Sequence, residues 1–283
     1  MKKPNARQEL SLDNALERAM TTDYDTVLSQ LRQKAEQEGG LPVYVLENNQ
    51  LDVAAKVLVG PPYHVIAYTL QYNPGKEFWQ YRVAEELVAL RLKIIASKAG
   101  LTVPPFTITE DNRISFYADC QRYVREKLGS ESIDRSQPML MTSYMSLISL
   151  AEDYVYGWMI EDELFQEDSL HPVQLLLIAK GMDDLIKDCS DEKLSVLPSG
   201  TRQALRVLVL SSAMYFRELY GYDRAKELHP AEEETALATQ TYAFYRSTVS
   251  ARQQDMRSCI KLFRYITRLL HIGVYFSEAE NPE

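Results

Sequence analysis

Residues 77–99 constrain the fold of this chain most, because their pattern predicts a long helix that is apolar over more than half of its circumference. The apolar positions are Val83, Ala84, Leu87, Val88, Leu90, Ile94 and Ile95. Such a helix has to be covered by other elements on several sides. Gly100 marks its predicted end. We therefore expect a central helix around which the rest of the chain packs.

The residues before this helix predict one more helix and a small sheet. The segment YDTVLSQLRQKAEQEGG has apolar positions at helical spacing and ends in two glycines. The runs LPVYVLE and AAKVLVGPPYHVIAYTLQYN are rich in β-branched and aromatic residues and predict two or three strands. Residues 1–22 are polar and are expected to form a frayed lead-in.

From residue 111 onward the pattern is helical almost throughout. Helical periodicity covers residues 115–128, 139–165, 172–188, 200–220 and 231–270. We predict an α+β, predominantly helical fold, in which a small sheet packs on the long central helix and an all-helical C-terminal half follows. The expected divisions after the lead-in are an α+β region at 23–128 and a helical region at 139–276. These two regions either share one core or form separate domains.

Composition argues against some partners. The 283 residues carry a net charge of −9, whereas phosphate binding requires a surplus of lysine and arginine, so nucleic acid is not an expected partner. No run of about 18 apolar residues occurs, so no membrane span is predicted. Cys120, Cys189 and Cys259 lie far apart and indicate reduced thiols in a cytoplasmic protein. These patterns leave the oligomeric state open.

The stretch RVAEELVALRL in the long helix resembles a zinc-peptidase helix. In such a helix two histidines one turn apart bind zinc, and the glutamate after the first activates water. Glu86 has the position of that glutamate, whereas Glu85 and Ala89 have the histidine positions. Alanine cannot bind a metal, and one carboxylate cannot hold zinc alone. The alternative is an ordinary amphipathic helix with solvated glutamates, in which Glu86 forms an ion pair with Arg82.

The neighbouring residues favour the peptidase interpretation. The segment HVIAYTLQYNPGKEFWQYRVAEELVAL is similar to the active-site region of ImmA/IrrE-type minimal zinc metallopeptidases, which are gluzincin-like, over roughly residues 40–100. The shared positions are Tyr72-Asn73-Pro74, Arg82-Val83-Ala84 and Glu86-Leu87. The resemblance implies a metallopeptidase-like order of helix, small sheet and active-site helix. It also implies a degenerate member, because both histidines of the HExxH motif are missing.

Such families take a third, usually acidic, metal ligand from a later helix. The resemblance implies that Glu161 or Asp162 is a vestige of this ligand, and the alternative is a charged stripe on a half-exposed helix. If that helix packs on the central one, Glu85, Glu86 and Glu161 crowd together. Crowded carboxylates have raised pKa values or recruit a cation, and oxygen ligands suit calcium, magnesium or manganese better than zinc.

The histidines give no motif that restores a metal site. His64, His171, His229 and His271 form neither H-x-x-x-H nor H-x-x-E-H, and each is interpreted as a surface or capping residue. A composite zinc site of His64 with carboxylates is the remaining alternative. We expect no catalytic residue, no cofactor and no bound metal. The residues of the vestigial site are Glu85, Glu86, Ala89, Glu161 and Asp162.

Two further features of the helical half have two interpretations each. The chain contains 18 tyrosines, many of them in this half, which indicates either a helical core with tyrosines at its edge or a binding groove. Residues 250–270 form a basic amphipathic pattern. This helix either docks its apolar stripe on its own domain or binds an acidic partner, nucleic acid or a membrane surface.

Together these patterns predict a catalytically inactive metallopeptidase-like protein that binds a protein or peptide partner in a groove beside the central helix. One alternative is an active metal-dependent hydrolase with a rearranged carboxylate site. Another is a helical structural or interaction protein whose resemblance to a peptidase is accidental.

Overall fold

The computed structural model describes residues 12–61, 65–249 and 256–279 and has the expected α+β, predominantly helical fold. Its first elements are α1 (Leu12–Thr21), α2 (Asp25–Gly39), β1 (Val43–Glu47), β2 (Ala55–Val59), β3 (Tyr68–Tyr72) and α3 (Trp79–Lys98). The long helix predicted at 77–99 is therefore confirmed as α3, with ends displaced by two residues or fewer.

The three strands form a sheet in the order β1-β3-β2, in which β1 is parallel and β2 antiparallel to β3. The inward residues Val43 and Leu70 are fully buried. Each outer strand has an outward backbone N–H that donates to a glutamate of the adjacent helix. Val43 donates to Glu36 at 3.0 Å in this way, and β2 has an equivalent bond at Val57. Such caps occupy a sheet edge that would otherwise pair with another strand.

Helix α3 lies at the centre of the first half, as its apolar pattern predicts. It packs against α2, against β2 and β3, and against a helix of the second half (Trp158–Leu164). Ten of its residues are buried: Tyr81, Val83, Ala84, Leu87, Val88, Ala89, Leu90, Leu92, Ile94 and Ala96. Tertiary burial on several sides therefore holds this helix in place.

The second half consists of helices that surround a common core. These are α4 (Glu110–Leu128), α5 (Ile133–Glu152), α6 (Trp158–Leu164), α7 (His171–Asp188), α8 (Asp191–Leu194), α9 (Ser199–Tyr220), α10 (Glu232–Thr248) and α11 (Arg257–Leu269). Helix α9 is buried along most of its length. Its core residues belong to the same contiguous cluster as those of α3, so the two halves are in direct apolar contact.

Residues 274–279 connect the far end of the described chain to α4. Strand β4 (Phe106–Thr107) pairs antiparallel with β5 (Ser277–Glu278). The Asn112 side chain in the first turn of α4 donates to the carbonyl of Val274 at 3.3 Å and accepts from the Ser277 hydroxyl at 2.9 Å. Strand β5 follows the end of the predicted helical region, residue 276, and completes a small sheet with the first half.

The structure differs from the prediction at the predicted polar lead-in. Residues 12–21 of this segment form α1, which packs on α7 and buries Ala15 and Ala19. Ala15 and Ala19 are small and lie one helical turn apart, so they form only a narrow apolar stripe. The polar residues around them hide this stripe in the sequence. Residues 1–11 lie outside the described residues.

The helix predicted at 139–165 is also divided. Helix α5 begins earlier, at Ile133, and contains Pro138. A π-helical turn, Asp153–Gly157, then separates α5 from α6. A π turn inserts one residue into a helix without changing which residue types are apolar on either side, so periodicity alone does not reveal it.

The basic amphipathic helix predicted at 250–270 corresponds to α11, and residues 250–255 lie outside the described residues. Its apolar stripe is buried against the rest of the fold, whereas its basic side chains are exposed. The buried residues are Ser258, Cys259, Leu262, Phe263 and Ile266. Docking on its own domain is therefore confirmed as the role of the apolar stripe.

Gly39, the last residue of α2, permits a close contact that fixes the position of the sheet. A Cβ atom at this position would lie 2.5 Å from Cε2 of Tyr68 and 3.2 Å from Cδ1 of Ile94. We expect Gly39→Ala to lower the free energy of unfolding by about 1–3 kcal/mol, because the β3 ring or the α2 backbone has to move. Urea denaturation of the purified protein measures this change.

Gly181→Ala is the matched control for this substitution. Gly181 lies within α7, and a Cβ atom there meets nothing within 4 Å. Alanine should stabilise a helix interior by about 0.5–1 kcal/mol. Equal effects of the two substitutions would contradict the proposed role of Gly39.

Candidate functional site

In the N-terminal half of α3, Arg82 and Glu85 lie at the contact between α3 and α6. The Arg82 guanidinium donates to both carboxylate oxygens of Glu85, at 2.8 and 2.6 Å. The ion pair expected between Arg82 and Glu86 is therefore formed with Glu85 instead. The Glu85 side chain is 20% exposed, so the first histidine position of the peptidase pattern carries a largely buried carboxylate bound to arginine.

Glu161 of α6 lies at the same contact and is held by a chain of hydrogen bonds. The Tyr81 hydroxyl donates to its carboxylate at 2.9 Å. The Gln174 amide donates to the carboxylate and, at 3.1 Å, to the Glu161 backbone carbonyl. Gln174 in turn accepts from the Tyr220 hydroxyl. The packing of α6 on α3 therefore places Glu161 close enough to Glu85 for the two carboxylates to repel each other.

Asp153, in the π-helical turn, is the third carboxylate at this contact. Its Oδ1 atom folds over Gly157, where a Cβ would lie only 2.8 Å away. Asp153 interacts electrostatically with both Glu161 and Arg82. We call Arg82, Glu85, Asp153 and Glu161 the Arg82 cluster. It contains one cation and three carboxylates, so it presents an excess of negative charge when all are ionised.

Burial and mutual repulsion change the titration of the Arg82 cluster. Burial raises the pKa of Glu85 to about 8, while Arg82 opposes this shift and Glu161 adds to it. Burial, followed by the charges of Glu161 and Glu152, raises the pKa of Asp153 to about 7. The Asp153 side chain is exposed to solvent, which screens its charge. Glu85 is therefore the residue of the cluster whose raised pKa affects stability most.

Glu86 points away from the cluster, towards the sheet. Its carboxylate accepts the outward backbone N–H of Val57 at 3.1 Å and so caps the edge of β2. Burial raises the pKa of Glu86, whereas the hydrogen bond from Val57 lowers it. The residue at the position of the peptidase base is therefore used as a structural cap.

Ala89, at the second histidine position, takes part through its backbone. Its carbonyl accepts the Tyr156 hydroxyl at 2.7 Å, and its side chain is buried. This contact joins α3 to the π-helical turn. Nothing in the Ala89 side chain can bind a metal or a substrate.

Asp162, although adjacent to Glu161, faces the helical core. It accepts the hydroxyls of Tyr215 and Tyr245, each at 3.0 Å. Trp158 stacks on Tyr215 with the ring centroids 4.6 Å apart. The structure therefore separates Asp162 from the Arg82 cluster, and of the five predicted site residues only Glu85 and Glu161 lie in that cluster. These core tyrosines each have a hydrogen-bonded hydroxyl, which agrees with the interpretation of a tyrosine-rich helical core.

The side chains at this site do not form a set of ligands that fits a zinc ion. Among residues 12–61, 65–249 and 256–279, no three His, Cys, Asp or Glu side chains are arranged to hold one metal. His171 is occupied by a hydrogen bond to the Phe165 carbonyl at 2.7 Å. His64, the ligand of the alternative composite site, lies outside the described residues. No chemical step through a metal can be derived from these residues.

Tyr81 and Gln174, which hold Glu161, are among the residues of the site that the sequence analysis missed. Gln174 is fully buried in the apolar run VQLLLIA, and a lone amide in such a run needs a hydrogen-bond partner. Tyr81 precedes Glu85 by one helical turn, which places both on one face of α3. Both signals are present in the sequence, but Glu161, the shared partner of Tyr81 and Gln174, lies in a different helix from each of them.

Comparisons with known proteins give no relative for this chain. No family model, no curated protein and no solved structure matches it. Within the part of the chain that the structure describes, no helix is both long and apolar enough to cross a membrane.

The raised pKa of Glu85 predicts that the protein becomes less stable as pH rises. The folded state binds the Glu85 proton more tightly than the unfolded state, in which the pKa of this glutamate is near 4.5. Stability therefore falls as the pH rises from about 4.5 to about 8. We expect a higher melting temperature at about pH 6 than at about pH 8.5. The difference should shrink in Glu85→Gln.

Glu131→Gln is the control for this measurement, since Glu131 is an exposed glutamate outside the cluster. It should keep the pH dependence of the unaltered protein. A pH dependence that is the same in Glu85→Gln as in the unaltered protein would rule out Glu85 as the titrating group.

Asp162→Ala tests the second carboxylate position. The substitution leaves the buried Tyr245 hydroxyl without its acceptor, so we expect a loss of about 1–3 kcal/mol in the free energy of unfolding. Asp168→Ala, at a side chain that is fully exposed, should have little effect. Chemical denaturation compares the two, and a neutral Asp162→Ala would show that the tyrosine hydroxyls find other partners.

Proposed function

We propose that this protein is a catalytically inactive metallopeptidase-like protein that binds a protein or peptide segment in a cleft at the Arg82 cluster. The observation that carries the proposal is the bond from the Val57 N–H to Glu86. A general base has to be free to take a proton from the reacting water. Glu86 is instead half-buried and committed to the edge of β2.

The other positions of the peptidase pattern support the same proposal. Glu85 is paired with Arg82, and Ala89 offers no ligand atom. Glu161 is held by Tyr81 and Gln174, which are both neutral donors. A carboxylate without a metal-bound water has little to activate. We infer that these side chains now shape a binding cleft.

The charge of the Arg82 cluster indicates what the cleft binds. Three carboxylates surround one guanidinium, so a lysine or arginine side chain of a partner would relieve their repulsion. Ionisation of Glu85 and Asp153 would then increase on binding, because an added cation lowers the pKa of each carboxyl. A cationic peptide segment is therefore the proposed occupant.

A cytoplasmic location remains part of this proposal. Cys120, Cys189 and Cys259 are buried, and burial raises the pKa of Cys120 and of Cys189 to about 12. Such thiols are poor nucleophiles and suit a structural role.

Metal analysis and peptide binding on the full chain test the proposal. We expect substoichiometric zinc after purification, no peptide cleavage, and binding of lysine- or arginine-containing peptides in preference to glutamate-containing counterparts. The double variant Glu85→Gln/Glu161→Gln should weaken this binding at least tenfold, whereas Glu131→Gln should not change it. Fluorescence anisotropy with labelled peptides measures the affinity.

Two results would favour the alternatives. Stoichiometric zinc that is lost in Glu86→Gln, together with metal-dependent cleavage, would establish a hydrolase with a rearranged site. A cleft that binds neither set of peptides would leave a helical structural or interaction protein with an accidental resemblance to a peptidase.

A further inference from the structure

A cavity of about 140 Å³ lies between α5, α8, α9 and the C-terminal end of α7. The buried residues of its lining are Ser143, Cys189, Leu194 and Leu205. Pro138, Thr142 and Lys193 also line it and are exposed, so the cavity opens at the surface. We call this space the Ser143 cavity.

Small side chains on one face of α5 leave room for this cavity. Met139, Ser143 and Ser146 follow one another at spacings of four and three residues, so they share one face of the helix. Protein interiors are otherwise close-packed. Two serines on this face fill less volume than leucines would, which leaves space between α5 and Leu205 of α9.

Two serines of the lining have hydroxyls without a partner in the protein. Within the described part of the chain, neither the Ser143 nor the Ser146 hydroxyl forms a hydrogen bond. Ser143 is nevertheless only 6% exposed. The Thr142 hydroxyl, by contrast, donates to the Pro138 carbonyl at 3.1 Å. A hydroxyl can both donate and accept, so each serine offers a hydrogen bond to a ligand that enters the cavity.

The lining favours an uncharged ligand. The charged residues in the described part of the lining, Asp188 and Lys193, form an ion pair with each other. Burial raises the pKa of the Cys189 thiol to about 12, so this group is neutral at physiological pH. Met139 adds a thioether, whose sulfur makes favourable contacts with aromatic rings. These properties suit an aromatic ring better than an ion.

We propose that the Ser143 cavity binds a small uncharged aromatic molecule that carries one hydroxyl group and has about the size of phenol. An apolar cavity of roughly 150 Å³ holds one benzene molecule. The ring would occupy the space beside Met139, Leu194 and Leu205, and its hydroxyl would bond to Ser143 or Ser146. This inference does not depend on the proposed function, because the Ser143 cavity and the Arg82 cluster share no residue.

Phenol itself is the probe, with benzene and benzoate as comparisons. Methyl NMR of the full chain with labelled methionines should show a shift of Met139 on titration with phenol. Met141 and Met145 should stay unchanged, because they are 61% and 54% exposed on α5 and do not line the cavity. Benzene lacks the hydroxyl and should bind about three- to tenfold more weakly. Benzoate carries a charge and should bind roughly tenfold more weakly or worse.

Variants of the protein separate filling of the cavity from hydrogen bonding. Ser146→Leu fills the cavity and should abolish the Met139 shift, whereas Ser149→Leu, at an exposed position of α5 outside the cavity, should preserve it. The double variant Ser143→Ala/Ser146→Ala keeps the space open. It should lower the affinity for phenol about three- to tenfold and leave the affinity for benzene unchanged. Circular dichroism checks that each variant is folded, and the double alanine variant tests the hydroxyls even if Ser146→Leu does not fold.

Four results would overturn the proposal. No shift of Met139 up to the solubility limit of phenol would show that the cavity takes no such ligand. Equal shifts of Met139, Met141 and Met145 would indicate adsorption to the surface of α5. Unchanged phenol binding in folded Ser146→Leu would place the ligand elsewhere. Equal affinity of the unaltered protein for phenol and benzene would show that the serine hydroxyls select no hydroxylated ligand.

Discussion

The burial of α3 on several sides is the constraint on which the rest of the structure depends. A helix that is apolar around most of its surface needs α2, the sheet and α6 as neighbours at once. Successive residues of a helix point about 100° apart. For this reason Glu85 and Glu86, although adjacent in sequence, reach different neighbours, α6 and β2. The burial of α3 therefore separates the carboxylates of Glu85 and Glu86, which a short sequence motif would place in one site.

Tyrosine hydroxyls supply much of the polar contact between the helices around this core. Tyr81 donates to Glu161, Tyr156 to the Ala89 carbonyl, and Tyr215 and Tyr245 to Asp162. A buried phenol contributes a large apolar area and one directional bond. These contacts keep carboxylates and a carbonyl satisfied without cations. They also fix the faces that α6 turns towards α3 and towards α9 and α10.

The sequence is informative where periodicity extends over many residues. The pattern of α3 predicts the helix and its burial, and the β-rich runs predict the three-stranded sheet. The pattern does not show which of Glu161 and Asp162 faces α3. These neighbours point about 100° apart on the helix, and the packing of α6 decides which of them faces α3. It also hides the π turn, which contains Asp153. Local spacing therefore predicts the elements, whereas the composition of the Arg82 cluster follows from contacts between residues far apart in the chain.

The contact between α4 and residues 274–279 has a consequence for synthesis. Asn112 and Val274 are separated by 162 positions. A ribosome that adds about 5–20 residues per second reaches the second of them roughly 8–30 s after the first. During this interval Phe106, which later stacks on Phe263, lacks its aromatic partner. The nascent first half therefore keeps apolar surface uncovered during this interval, and exposed apolar surface of this kind is prone to aggregation.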